Sequence, residues 1–170
     1  MTSFKQFLEE GRDAPLYHAT RLDNIDSIIQ AGLKPTSSHF RKKLGLNRKE
    51  NDSTSTHGIS FTRDFKIAHR YGQHYFVQRS YVIFKFDQRK LTQRYKSIPV
   101  DYFSDMRSKK IYDKSNPDLS TRRFFEAEKF IITKNPIPLS FATEIFVPQD
   151  ISEQYLKLIQ DTHLKVTYFK

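Results

Sequence analysis

Leu16-Tyr17-His18-Ala19, running into Thr20-Arg21-Leu22-Asp23, is the stretch that decides how this chain begins to fold. The first four residues read as a short strand. Thr20 with Asp23 three positions on has the form of a capping box, so a helix is expected to start there. Ile25, Ile28 and Ile29 lie on one face of that helix, and Gly32 supplies a left-handed stop before Leu33-Lys34-Pro35.

Downstream, the composition between Thr36 and His57 turns to Ser, Thr, Asn, Lys and Arg, with only Phe40, Leu44 and Leu46 to pack. A polar loop of that length inside a compact domain is uncommon, which makes it a candidate for partner contact. Gly58-Ile59-Ser60-Phe61-Thr62 reads as the next strand, and Asp64 as the cap of a helix through Ala68 and Tyr71 that stops at Gly72. Tyr81–Phe86 is a strand with Val82, Phe84 and Phe86 on one face and Tyr81, Ile83 and Lys85 on the other. Residues 88–121 combine basic clusters with Pro99 and Pro117 and predict helical turns and loops instead of regular sheet. Phe125–Thr133, Phe141–Val147 and Leu164–Phe169 predict three more strands. Between the last two, Asp150 with Glu153 opens a helix carrying Leu156 and Ile159.

Upstream, Phe4, Phe7 and Leu8 have helical spacing and Gly11 ends the run, so residues 1–10 form an amphipathic helix or a detachable leader, and 11–170 a single domain. The chain of 170 residues has no cysteine, which excludes disulfides, thiolate metal sites and thiol nucleophiles. It has no apolar run approaching the roughly 20 residues of a membrane-spanning helix, so a soluble protein of the cytoplasm is expected, without membrane contact. The formal net charge is +10, from 29 Lys and Arg against 19 Asp and Glu. Five basic residues face one acidic between Arg41 and Glu50, and ten face four between Arg89 and Arg123. Basic loops 41–49 and 89–123 therefore suit a polyanion such as nucleic acid, or are simply solvated.

Three polar segments fall at ends of expected strands: Tyr17-His18-Ala19-Thr20, Ser60-Phe61-Thr62 and Glu126-Ala127-Glu128. Alternation puts Ser60 and Thr62 on one face with Phe61 opposite, and gives the two glutamates a common face. Taken singly, each has an ordinary reading. His18 fits a satisfied core histidine, Ser60 and Thr62 fit solvent-facing strand residues, and the glutamates fit the wet face of an edge strand. His39, His57, His69 and His74 show no helical pairing with a supporting acid, and no metal site is expected.

The order of the motifs is more informative than any one of them. A strand with His-x-Thr, a helix ending Gly-Leu, then Gly-x-Ser-x-Thr and finally Glu-x-Glu on a late strand resembles the ADP-ribosyltransferase superfamily, over Leu16 to Ile132. The resemblance implies an α+β domain in which a split pair of small antiparallel sheets, flanked by helices, forms a cleft for NAD, which is the substrate. It implies that His18 contacts NAD together with Tyr17 and Thr20, and that Ser60 and Thr62 support the cleft and the nicotinamide-side ribose. Tyr71 and Tyr75 are the candidates for stacking on the nicotinamide. The resemblance implies that Glu128 is the catalytic carboxylate and that Glu126 handles the acceptor. The chemistry suits these residue types, because loss of nicotinamide leaves an oxocarbenium-like centre that a nearby carboxylate stabilises. Neither a metal nor a covalent nucleophile is needed.

Ser-x-Thr with Glu-x-Glu is typical of arginine-modifying relatives, so a host protein is the first acceptor expected. The alternatives are a nucleic-acid-modifying transferase, an RNA phosphotransferase of the same fold, or a non-enzymatic basic binding module. The first ten residues, with Leu8-Glu9-Glu10, also resemble the leader of tailed-phage internal head proteins, which implies a phage-encoded protein packaged in the virion and acting in the host cytoplasm.

Overall fold

The computed structural model describes residues 14–35, 57–76, 80–99 and 128–169. The supposed leader, loop 41–49, most of 89–123, and Glu126 lie outside the described residues.

Strands β1 (Leu16–Arg21), β2 (Gly58–Thr62), β3 (Tyr81–Phe86), β4 (Lys96–Pro99), β5 (Glu128–Ile132), β6 (Ala142–Pro148) and β7 (Lys165–Phe169) form one sheet in the order β4-β5-β2-β1-β3-β6-β7. Helices α1 (Ile25–Ala31), α2 (Phe65–Tyr75), α3 (Gln88–Arg94) and α4 (Glu153–Gln160) flank it. The domain is α+β, as the resemblance implies. The sheet is nearly two sheets, since β1 is in register with β3 from Leu16↔Phe86 to Arg21↔Tyr81, whereas β1 and β2 share the single pair Tyr17↔Thr62. Strands β4-β5-β2 thus form one half and β1-β3-β6-β7 the other.

Each face of the sheet has its own apolar layer. Leu16, Ile59, Phe61, Val82, Phe84, Phe86, Ile131 and Ile145 pack on one side with Ile25 of α1, Leu91 of α3 and Ile159 of α4. On the other side α2 packs through Ala68 and Phe65 against Tyr17, Ala19, Tyr81, Ile83, Phe146 and Phe169. Central β3 is buried on both faces, and its two sets of side chains divide between the layers as alternation requires.

Several local expectations are corrected. Thr20 does not begin a helix. It is the penultimate residue of β1, followed by a 3-10 turn over Leu22–Asn24 and then α1. Its hydroxyl is buried and accepts a hydrogen bond from Asn24 Nδ2 at 3.2 Å, so tertiary burial overrides the local capping signal. Gly72 does not stop α2, which continues to Tyr75. A Cβ at Gly72 would lie 2.3 Å from the Tyr81 ring, so the glycine is there for close approach. Gly32 does end α1, with φ of 84°, against the Ile137 carbonyl. The last helix begins after Ser152, not Asp150. Its crossover makes β6 and β7 parallel within an otherwise antiparallel sheet. Finally, β4 was expected as irregular chain. It pairs with β5 and tolerates Pro99 because it is an edge strand, and β5 is consequently interior.

Candidate active site

The one-pair junction between β1 and β2 determines the geometry. If the ladder continued beyond Tyr17↔Thr62, main-chain donors of β1 would take the carbonyls of β2 in turn. Instead the His18 ring lies 2.8 Å, through Nδ1, from the Ser60 carbonyl oxygen. A carbonyl can only accept, so Nδ1 carries the proton and donates, and Nε2 is left as the acceptor of a neutral imidazole. Burial pushes His18 below the ordinary histidine range, and the hydrogen bond to Ser60 opposes this only in part. The ring also packs on Phe61, with centroids 5.6 Å apart. His18 is therefore held in one tautomer where the two halves of the sheet part.

The expected site residues fall into two groups. His18 and Thr20 share the face of Phe61, while Ser60 and Thr62 alternate to the opposite face, the one covered by α2. What connects the first two motifs is the bond from the His18 side chain to the Ser60 backbone. On the α2 face, register aligns Thr62↔Tyr17, Tyr17↔Lys85, Lys85↔Glu144 and Glu144↔Lys165, a transverse row of polar residues across five strands. Glu128 is the first residue of β5 and its Cα is paired with Thr62, so the sheet brings the Glu-x-Glu and Ser-x-Thr motifs together at one end.

Thr62 is buried, and its hydroxyl accepts from the Asp64 N–H at 3.2 Å, which ties the motif to the start of α2 and rules out a solvent-facing role. Asp64 in turn caps α2 by accepting from the Lys66 N–H at 2.7 Å. Tyr17 packs edge-on against Phe65 with centroids 5.7 Å apart. Burial raises its phenol, Lys85 opposes that, and Glu144 and Asp64 add to it. Tyr71 and Tyr75 lie on α2, their centroids 4.5 Å apart.

Two polar residues belong to no motif, Arg63 beside the Ser-x-Thr segment and Glu144 on β6 toward the other end of the row. Arg63 follows the Ser-x-Thr segment directly and donates from Nε to Gln88 Oε1, at 3.1 Å, linking β2 to the first residue of α3. Glu144 is buried, meeting Lys85 at 3.1 Å, Lys165 at 3.4 Å and the Thr167 hydroxyl at 2.6 Å. Burial alone would raise its carboxyl, but hydrogen bonds from Thr167 and Lys85 and the charges of both lysines outweigh that and hold it low. Alternation along β6 hints at this site, but only the pairing of β3, β6 and β7 supplies its cations. Among the described residues no group of three or more His, Asp or Glu could hold a metal ion.

This split α+β sheet, with histidine on the first strand and Glu128 in register with the Ser-x-Thr motif, matches the fold of ADP-ribosyltransferase structures. Within that fold, the chain superposes on DarT structures. Thermus sp. 2.9 DarT in complex with ADP-ribosylated ssDNA matches with a TM-score of 0.59 at 14% identity, over 93% of this chain and 95% of that one. The same protein in complex with NAD+ matches with a TM-score of 0.53 at 13% identity, over 93% and 96%. Thermosipho africanus DarTG in complex with ADP-ribose matches with a TM-score of 0.54 at 13% identity, over 91% of this chain and 49% of that one. No family model and no curated protein matches the sequence.

Proposed function

We propose that this protein is an NAD-dependent ADP-ribosyltransferase whose acceptor is nucleic acid. The observation that carries the reading is the parting of β1 from β2 at His18, with Glu128 in register across from Thr62. NAD lies along that parting. His18 Nε2 accepts a hydrogen bond from a ribose hydroxyl, Ser60 lines the cleft, and Thr20, Thr62 and Tyr17 keep its walls in place. Tyr71 stacks on the nicotinamide. The bond from nicotinamide to the ribose C1′ breaks and nicotinamide leaves with the bonding electrons. The Glu128 carboxylate stabilises the positive charge that develops on the sugar. A nucleophilic atom of the acceptor then bonds to C1′ and loses its proton, with Glu126 handling that partner.

The protein acceptor expected first gives way to nucleic acid for two reasons. The structural neighbour with the higher TM-score holds ADP-ribosylated ssDNA, and exposed Arg89, Lys90 and Arg94 on α3 favour a polyanion. The test is transfer of label from adenine-labelled NAD to single-stranded DNA, to RNA and to cell protein, offered side by side. Label on nucleic acid supports the reading. Label on protein alone would restore the earlier acceptor, and no transfer to anything would contradict the transferase.

A further inference from the structure

Helix α2 packs on one face of the sheet against β1, β2 and β3, and its outward side is unlike that of the helices opposite. On α4 the exposed positions mix signs, with Glu153, Gln154, Lys157 and Gln160. On α1 they include Asp26 and Ser27. The outward side of α2 carries Lys66, Arg70 and His74 at every fourth position and no acidic residue anywhere in Phe65–Tyr75. Successive members of that stripe are about 6 Å apart along the axis. No ion pair of Lys66 or Arg70 occurs among the described residues. Beside the stripe stand Tyr71 and Tyr75, the two most exposed aromatic rings of the helix, at 40% and 62% exposure, with centroids 4.5 Å apart. His74 meets Tyr75 edge-on at 4.8 Å.

We infer that the outward face of α2 is a docking surface for single-stranded DNA, which lies with its phosphates along Lys66, Arg70 and His74 and an unpaired base against Tyr75. Cations tracking a backbone beside rings that stack bases is the general solution for binding single strands, since every base has a π-face and the backbone supplies the charge. A double helix keeps its bases stacked inside and cannot use Tyr75 in this way. Placement favours the same occupant, because α2 starts three residues after Thr62 and its cap bonds the Thr62 hydroxyl, so a strand held on the helix is led toward the parting of the sheet. The inference rests on the nucleic-acid acceptor proposed above and names the surface that presents it. Composition pointed elsewhere, to loops 41–49 and 89–123, because α2 has too few charges to register as a basic cluster.

The test is the anisotropy of a labelled single-stranded DNA oligonucleotide titrated with the full chain at several salt concentrations, with unlabelled duplex as competitor. The variants are Lys66→Ala with Arg70→Ala, and Tyr75→Ala. Nicotinamide release from NAD without DNA is measured on the same preparations. The cation pair should weaken binding about tenfold or more and make the salt dependence shallower by about 1.4 in log–log slope, two phosphate contacts' worth for a single strand. Tyr75→Ala should weaken it about fivefold or more with the slope unchanged. Lys66→Arg with Arg70→Lys should bind as wild type, and duplex should compete poorly. Nicotinamide release should be unchanged in the Lys66 and Arg70 variants. Single-strand binding undiminished in both alanine variants, or no binding by wild type, overturns the inference. Wild-type protein that binds DNA through α2 but transfers no label from NAD to it would contradict the transferase reading and leave the docking surface standing.

Discussion

Strand β1 has two borders of opposite character. Toward β3, every residue from Leu16 to Arg21 has a registered partner, and the shared layers hold Val82, Ile83, Phe84 and Phe86 at zero exposure. Toward β2, one pair is registered and a histidine side chain takes the next carbonyl. His18 stands on both borders at once, as Phe84's partner on one side and Ser60's on the other. The comparison separates two functions of one strand. The closed border supplies the stability, and the open border gives that stability up, leaving the His18 ring on the Ser60 carbonyl in one geometry held by a rigid neighbour.

The two borders can be broken independently. The largest effect is expected on the closed one, where Phe84→Ala should cost about 3–5 kcal/mol in chemical denaturation, the usual loss for a fully buried ring. On the open one, Glu128→Gln should lower nicotinamide release by about 10²–10³-fold while leaving the denaturation midpoint unchanged, since a transition-state carboxylate contributes to the barrier and not to folding.

Between these extremes is Glu144→Gln, at the far end of the polar row, which should cost about 1–3 kcal/mol because it leaves Lys85 without its anion. The folded carboxyl is held below its ordinary value of 4.5, so its contribution is complete above that pH and is lost as the pH falls through the lower folded value. A denaturation series from neutral pH downward should show wild type losing stability in acid faster than Glu144→Gln.

His18 gives a smaller effect with the same sign in a different window. Its folded value lies below 6.5, so the unfolded chain takes up a proton first as the pH falls below 6.5. Stability held by neutral His18 is therefore full above 6.5 and declines beneath it, and NAD binding declines as the ring itself protonates and Nε2 stops accepting. His18→Ala should weaken NAD binding about 2- to 10-fold in calorimetry and remove that acid limb. The smallest change is Asp64→Ala, which removes the cap of α2 and should cost about 1 kcal/mol in the same denaturation assay.

What the sequence revealed follows the range of the forces involved. Strands β2 and β3 were legible to the residue, and the faces of β3 were correct, because alternation is a local property of a strand buried on one or both sides. Gly32 was legible because a positive φ beside a carbonyl restricts the position to glycine. Gly72 was misread as a stop because its neighbour, the Tyr81 ring, comes from another element. Thr20 was misread as a cap for the same reason, its hydroxyl having been drawn into the interior. Strand β4 carries little apolar signal and exists because β5 pairs with it. For the proposed site, the motif order picks out His18, Ser60, Thr62 and Glu128. It did not reveal that His18 and the Ser-x-Thr hydroxyls lie on opposite faces, joined through a backbone carbonyl. Arg63 and Glu144 belong to no motif, and their partners are distant in sequence.

The central claim is that NAD lies where β1 parts from β2. The most direct measurement is a titration of NAD into protein labelled with nitrogen-15 in its histidine rings. The account predicts that His18 Nε2 shifts selectively as it accepts a hydrogen bond, while Nδ1 stays protonated against Ser60. An unmoved His18 under saturating NAD would contradict it.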